Sequence, residues 1–152
     1  MIDGILIVDK EVGISSYDVI RRVKKVVGKK QKIGHAGTLD PFACGVLILL
    51  FGKATKLMTT FLTYEKTYEA VAEFGFATDT QDITGKIVKK DSENIQPTNE
   101  EIRKSIEGNF LGEIKQIPPM YPAKRIKGKR AYKLAREGKK VELKPKDIIV
   151  SQ

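Results

Sequence analysis

Hydrophobic and polar positions alternate along this chain with periods that change from segment to segment. Ile5-Leu6-Ile7-Val8 is a short apolar run closed by the polar turn Lys10-Glu11-Val12-Gly13, which predicts a buried strand over Gly4 to Asp9. Val19, Ile20, Val23, Val26 and Val27 then recur at the spacing of one helical face. Ser15 or Ser16 stands where an N-cap belongs, Asp18 falls in the first turn, where it favours the helix dipole, and Gly28 stops the helix. Arg21, Arg22, Lys24 and Lys25 are left for the outer face. Val46 to Phe51 is a second apolar run, and its length and bounding glycines, Gly45 and Gly52, favour a buried strand. Lys53 to Leu62 reads as a helix with Ala54, Leu57, Met58, Phe61 and Leu62 along its inner stripe.

Tyr68, Ala70, Ala72 and Phe74 alternate with Glu69, Val71 and Glu73, the period of a strand ending near Gly75. Thr78 to Gly85 is a polar loop; its acids and glycine fail the calcium-loop pattern, so it is expected to be held by local hydrogen bonds. Asp91 to Pro97 is the most linker-like stretch, yet the apolar pattern continues past it. Thr98 with Glu101 matches a capping box, and Ile102, Ile106 and Phe110 carry the helix face that follows. Beyond Pro118-Pro119, Met120 to Lys124 should be extended, Arg130 to Glu137 helical, and Ile148-Ile149-Val150 a strand.

Composition narrows the class. A chain of 152 residues makes about one domain with a real core, and 41% hydrophobic with 31% charged residues is ordinary for a globular protein. The longest apolar run is too short to span a bilayer, and the N-terminus lacks the features of a signal peptide, so a cytoplasmic protein without membrane attachment is expected. Cys44 has no partner for a disulfide and reads as a small core residue; with His35 as the only imidazole, no metal site is expected. The net charge is +9, and its distribution says more than its sum. Arg21, Arg22, Lys24, Lys25, Lys29, Lys30 and Lys32 fall within an acid-free stretch, and Lys124, Arg125, Lys127, Lys129 and Arg130 form a second. Either block alone could be a solvated helix face, but two such blocks around a glycine-rich loop suit a nucleic-acid backbone.

That loop, Gly34-His35-Ala36-Gly37-Thr38-Leu39-Asp40-Pro41-Phe42-Ala43-Cys44-Gly45, sets one acid among glycines that let a bulky ligand approach. Taken alone, Leu39-Asp40-Pro41 is an ordinary turn, His35 a turn histidine bonded to its own loop, and Tyr68 a half-buried strand residue.

Taken in order, Asp9-Lys10, Gly13-Ile14-Ser15-Ser16, Gly34 to Pro41, Gly45-Val46-Leu47, Gly52 to Lys56, Lys66-Thr67-Tyr68, Thr78 to Asp82 and Pro119-Met120-Tyr121 resemble the bacterial TruB family of tRNA pseudouridine synthases over essentially the whole chain. The resemblance implies an α+β fold, with a mixed, largely antiparallel sheet flanked by helices. It implies isomerisation of a uridine in the T arm of tRNA, at tRNA position fifty-five, by a monomeric enzyme that needs no cofactor. Asp40 matches the family's catalytic aspartate, attacking a flipped-out nucleotide at C6 of the base or at C1′ of the sugar. Tyr68 matches the active-site tyrosine, His35 a loop histidine that contacts the substrate, and Lys10 a lysine near the mouth of the site. Arg21, Lys24, Lys32, Lys124, Lys127 and Arg130 would then hold RNA backbone.

Glu11 and Pro122 replace residues common in the family. The family's core continues with a strand whose arginine pairs with the aspartate, and usually with an RNA-binding PUA domain. Residues 1–152 are therefore expected to be the N-terminal part of a single catalytic domain, poorly active or inactive alone. The rival reading is a non-catalytic RNA-binding module, since Gly34-His35-Ala36-Gly37 also fits the phosphate clamp of KH domains; a basic scaffold protein accounts for the charge but not for the spacing of His35, Asp40 and Tyr68.

Overall fold

The computed structural model describes residues 1–92, 96–117, 125–126, 129–130 and 145–151, which fall into two compact units, Met1–Glu69 and Ala70–Gln152. In the first unit, β1 (Gly4–Lys10), α1 (Ser16–Val27), β2 (Ile33–His35) and β3 (Gly45–Phe51) are followed by a 3-10 turn (Gly52–Leu57) and a short α2 (Met58–Leu62). The strands form one antiparallel sheet in the order β1-β3-β2. Leu6 lies opposite Leu49 and Val8 opposite Leu47 on one side of β3, while Ile33 faces Phe51 and His35 faces Leu49 on the other.

Strand alternation sends Leu47, Leu49 and Phe51 to one face, where they meet Val19 and Ile20 of α1. Val8, Ile14, Val23, Val27, Ile33 and Leu39 pack around this cluster. Leu47 and Leu49 are fully buried, worth about 1.5–3 kcal/mol each against exposure. The stripe differs from expectation at its end, where Val26 is 87% exposed because it sits at the edge of the helix face in the last turn. Helix α1 opens with a capping box, Ser15 accepting from the Asp18 N–H while the Asp18 carboxylate accepts from the Ser15 N–H, and closes at Gly28. On the other face of the sheet Leu50 is buried, but Ile5, Ile7 and Val46 stay exposed.

Two expectations for this unit are corrected. The helix expected over Lys53 to Leu62 begins as a 3-10 turn, and Leu57, Met58 and Leu62 remain partly exposed, so their spacing reported apolar content rather than a fully packed face. The strand expected over Tyr68 to Phe74 is absent. A strand needs a partner's backbone, and no described strand pairs with this segment; Tyr68 is 70% and Val71 97% exposed.

In the second unit, β4 (Phe76–Thr78) pairs with β5 (Ile87–Lys90), α3 (Asn99–Asn109) follows, and β6 (Gly112–Gln116) pairs with β9 (Lys146–Val150). The short strands β7 (Arg125–Ile126) and β8 (Lys129–Arg130) pair with each other. The loop between β4 and β5 is laced as expected. Asp82 Oδ1 accepts from the Thr84 N–H and the Thr80 hydroxyl, at 2.8 and 2.9 Å, and Asp79 accepts from the Lys86 N–H at 2.8 Å. The capping box at Thr98 and Glu101 is also present, although Ile106 and Phe110 of the face behind it are exposed. The extended segment expected over 120–124 lies outside the described residues, as do residues 131–137 of the helix expected over Arg130 to Glu137; Arg130 itself is corrected to a strand residue of β8, its backbone paired with Arg125. The α+β class is borne out, with every described pairing antiparallel.

Candidate active site

The loop that leaves β2 at His35 and enters β3 at Gly45 is tied down along its length. At its start the Ala36 N–H continues the sheet by donating to Ile48 O at 2.9 Å. His35 Nδ1 lies 2.5 Å from Gly37 O. A carbonyl only accepts, so Nδ1 carries the proton, and in the neutral ring Nε2 keeps its lone pair. Gly37 turns the chain there with φ of 112°, which a side chain would resist.

Asp40 sits between two anchored residues. Leu39 packs its side chain against the core, and its N–H and C=O both bond the Ser16 hydroxyl, at 2.9 and 3.0 Å. Pro41 O accepts from the Gly13 N–H at 2.7 Å, and the Ala43 N–H closes a turn onto Asp40 O at 3.1 Å. With Leu39 drawn inward, the next side chain is turned outward, and Asp40 is exposed. Among the described residues, the Asp40 carboxylate accepts no hydrogen bond and pairs with no cation. The carboxylate is thus positioned through its backbone, with both oxygens open to a ligand.

Lys10, expected at the mouth of the site, is buried with nothing exposed. Its ammonium donates to Glu11 O at 3.0 Å and Ile14 O at 2.8 Å, the carbonyls of the turn whose Gly13 reaches Pro41. Tyr68 stands exposed near the end of the first unit, and no hydrogen bond or ring contact joins it to His35 or Asp40. Cys44 is exposed on the loop, against the expectation of a core position; the residue before β3 falls outside the layer that α1 covers.

The first basic block runs along α1 and on through Lys32, ending just before β2, which leads into the loop. Arg21 pairs with Asp18 at 2.7 Å and lies 4.9 Å over the Tyr17 ring, and Arg22 pairs with Glu11. The Ser15 hydroxyl and N–H, with Arg21 beside them, hold the Asp18 carboxyl below its usual range. Such solvent-exposed pairs are weak, screened by water and salt, and hold their cations only loosely. Lys32 is exposed and Lys24 half-buried. Lys124 and Lys127 lie outside the described residues, and Arg130 is described only as backbone of β8.

No three His, Cys, Asp or Glu side chains among the described residues are placed to hold a metal. No described helix is long and apolar enough to cross a membrane. The KH-type clamp would join two helices, but here Gly34 and His35 belong to β2, with Gly34 opposite Leu50. Ser16 and Gly13 are the site residues that sequence reasoning missed. Both stand in the motif Gly13-Ile14-Ser15-Ser16, but as cap and turn residues neither position signals a contact with a loop more than twenty residues away.

Residues 24–152 match the family model described as TruB family pseudouridylate synthase, N-terminal domain. The chain is 49% identical over 148 residues to tRNA pseudouridine synthase B of Aquifex aeolicus, covering 97% of this chain and 50% of that protein. The enzyme of the same name from Thermotoga maritima is 46% identical over 145 residues, 95% of this chain and 46% of the relative. The chain therefore spans about half the length of these relatives. Among solved structures, a chain of a Cbf5-Nop10-Gar1 complex matches with a TM-score of 0.51 and 25% identity, over 80% of this chain and 31% of that one.

Proposed function

The chain belongs to the TruB family of pseudouridylate synthases, and from that premise we propose that it carries the nucleophile of an enzyme that converts uridine to pseudouridine in tRNA. The proposed target is the uridine at tRNA position fifty-five, in the T arm. The observation that carries this reading is the exposed Asp40 carboxylate on a loop anchored on both sides of it and bonded to the first residue of a basic helix.

The chemistry sets the requirements. The bond from C1′ to N1 breaks, the base turns, C1′ joins C5, the proton on C5 leaves and N1 gains one. The product is an isomer of the substrate, with no net oxidation or reduction, so no redox partner enters the balance. A carboxylate that attacks the nucleotide divides this rearrangement into easier steps, and an anion free of competing donors is the suitable nucleophile. Asp40 takes that role, at C6 or at C1′. A uridine stacked in the T arm hides its glycosidic bond, so the base must leave the stack at a cost of a few kcal/mol. His35, with Nε2 free to accept, and the exposed ring of Tyr68 would contact the extruded base, while Arg21, Lys24 and Lys32 hold the backbone.

Asp40→Asn in the full-length protein tests this. Pseudouridine formation should fall at least about 1,000-fold, the scale seen when a covalent nucleophile is removed, with tRNA binding retained. Unchanged product would remove Asp40 from the mechanism. Binding that is retained in a wild type that makes no pseudouridine would favour the RNA-binding module.

A further inference from the structure

Ser16 carries a pair of bonds that its place in a helix does not require. It is the first residue of α1, directly after the capping residue Ser15, which already serves the Asp18 N–H. The Ser16 side chain is 2% exposed and is directed away from its own helix. Its hydroxyl donates to Leu39 O at 3.0 Å and accepts from the Leu39 N–H at 2.9 Å, so one side chain satisfies both backbone groups of one residue. A hydroxyl can do this because it is donor and acceptor at once. The effect is that of a short piece of sheet pairing made without a strand.

The residue so held is the neighbour of Asp40. On the other side of Asp40, Pro41 O is held by the Gly13 N–H at 2.7 Å, from the turn that leads into the same helix. The peptide unit that joins Leu39 to Asp40 is therefore fixed to the first residue of α1, the unit after Pro41 to the turn that leads into that helix, and Asp40 O to the Ala43 N–H, while the Leu39 side chain is fixed to the core beneath the helix. Asp40 itself has no partner among the described residues that would orient its carboxylate. Whatever direction that carboxylate keeps comes from the backbone on either side.

We propose that Ser16 is a positioning residue for Asp40: its hydroxyl locks the Leu39 peptide and so aims the adjacent carboxylate at the nucleotide. This rests on the reading of Asp40 as nucleophile. Misplacement of a reacting group by about 1 Å costs on the order of 100-fold in rate. Loss of the lock should therefore lower kcat by about 10- to 100-fold while the tRNA surface stays intact.

The test compares Ser16→Ala, Ser16→Thr and Asp40→Asn in the full-length protein, with circular dichroism to establish folding. S16A should lose kcat with KM for tRNA within about twofold of wild type, and S16T, which keeps the hydroxyl, should recover most of it. Alongside, 15N relaxation on the 152-residue chain reads position directly, whether or not that chain is active. The order parameters of Leu39 and Asp40 should fall from about 0.85 toward 0.6 in S16A while those of α1 hold. Wild-type kcat and unchanged order parameters in S16A, with D40N inactive, overturn the proposal and leave the nucleophile standing. An active D40N removes the nucleophile reading instead, and the order parameters then decide the lock alone. Should S16A not fold, S16T carries the test: full activity sustains the lock, and a folded S16T below a tenth of wild-type kcat overturns it.

Discussion

Replacing Lys10 by methionine removes a buried charge and shortens the side chain by only one atom, and so tests chiefly what the ammonium does. The side chain is wholly buried, and its two acceptors are the Glu11 and Ile14 carbonyls at 3.0 and 2.8 Å. Hydrogen bonds to a charged donor are worth about 1.5–3 kcal/mol each. Against their sum stands the several kcal/mol it costs to keep an ammonium out of water, a cost that the methionine does not carry. The carbonyls left behind differ: Glu11 lies in an exposed turn where water can replace the lost donor, whereas Ile14 is half-buried and its carbonyl loses about 1–3 kcal/mol if left unpaired. The net expectation is a loss of about 1–3 kcal/mol, set by Ile14. For a cooperative unit the size of Met1–Glu69 this is a fall in Tm of about 4–8 °C per kcal/mol. Urea denaturation of wild type and K10M, followed by circular dichroism, measures it. Because Gly13 of the same turn holds Pro41, activity should fall together with stability. If K10M were as stable as wild type within about 0.5 kcal/mol and lost tRNA affinity instead, Lys10 would be a ligand for substrate and the bracing argument would be wrong.

Other expectations follow from the same geometry. A Cβ at Gly85 would collide with Thr80 Oγ1 and stand 2.6 Å from Asp79 Oδ1, so Gly85→Ala should cost the second unit about 1–3 kcal/mol and speed amide exchange at Thr84 and Lys86. Gly34→Ala, which meets only ordinary contacts at 3.8 Å, should stay within about 1 kcal/mol of wild type, and equal losses in the two would refute the contact argument. Cys44 is exposed, so a thiol reagent should modify it in the native protein as fast as in urea; labelling only after unfolding would place it back in the core. The Asp18 carboxyl is lowered from its ordinary 3.8, so its capping contribution is complete above that value and fades as pH falls through the lower folded one. The stability gap between wild type and Asp18→Asn should therefore close on acidification below about pH 4, and a gap that did not change would show that the carboxylate's charge plays no part.

What the sequence made legible is what local chemistry decides. The capping boxes at Ser15 and Thr98, the Gly28 stop and the two apolar strands on either side of α1 need only neighbours within a few residues. The candidate nucleophile was legible for a different reason, through motifs in a fixed order. What failed was whatever depends on a distant partner. The alternation over Tyr68 to Phe74 is a strand pattern with no described strand beside it, and the apolar spacing of Leu57, Met58 and Leu62 belongs to side chains that remain partly exposed. The direction of the Lys10 ammonium and the bonds from Ser16 to Leu39 join segments whose approach is set by the packing of α1 on the sheet. No periodicity encodes that approach.

The pairing of β1 with β3 sets Gly4 opposite Phe51 and Lys10 opposite Gly45. During synthesis the first strand therefore waits for the third, and its apolar residues Ile5 to Val8 have no ladder until some fifty residues have been made. Helix α1 has its own cap and stop and is free of that delay. It can shelter one face of the waiting strand, and the charge on its outer side keeps the nascent chain in solution. The loop that carries Asp40 lies between β2 and β3, which pair with each other, so it closes locally and gains its bonds to Ser16 and Gly13 without waiting for the first strand.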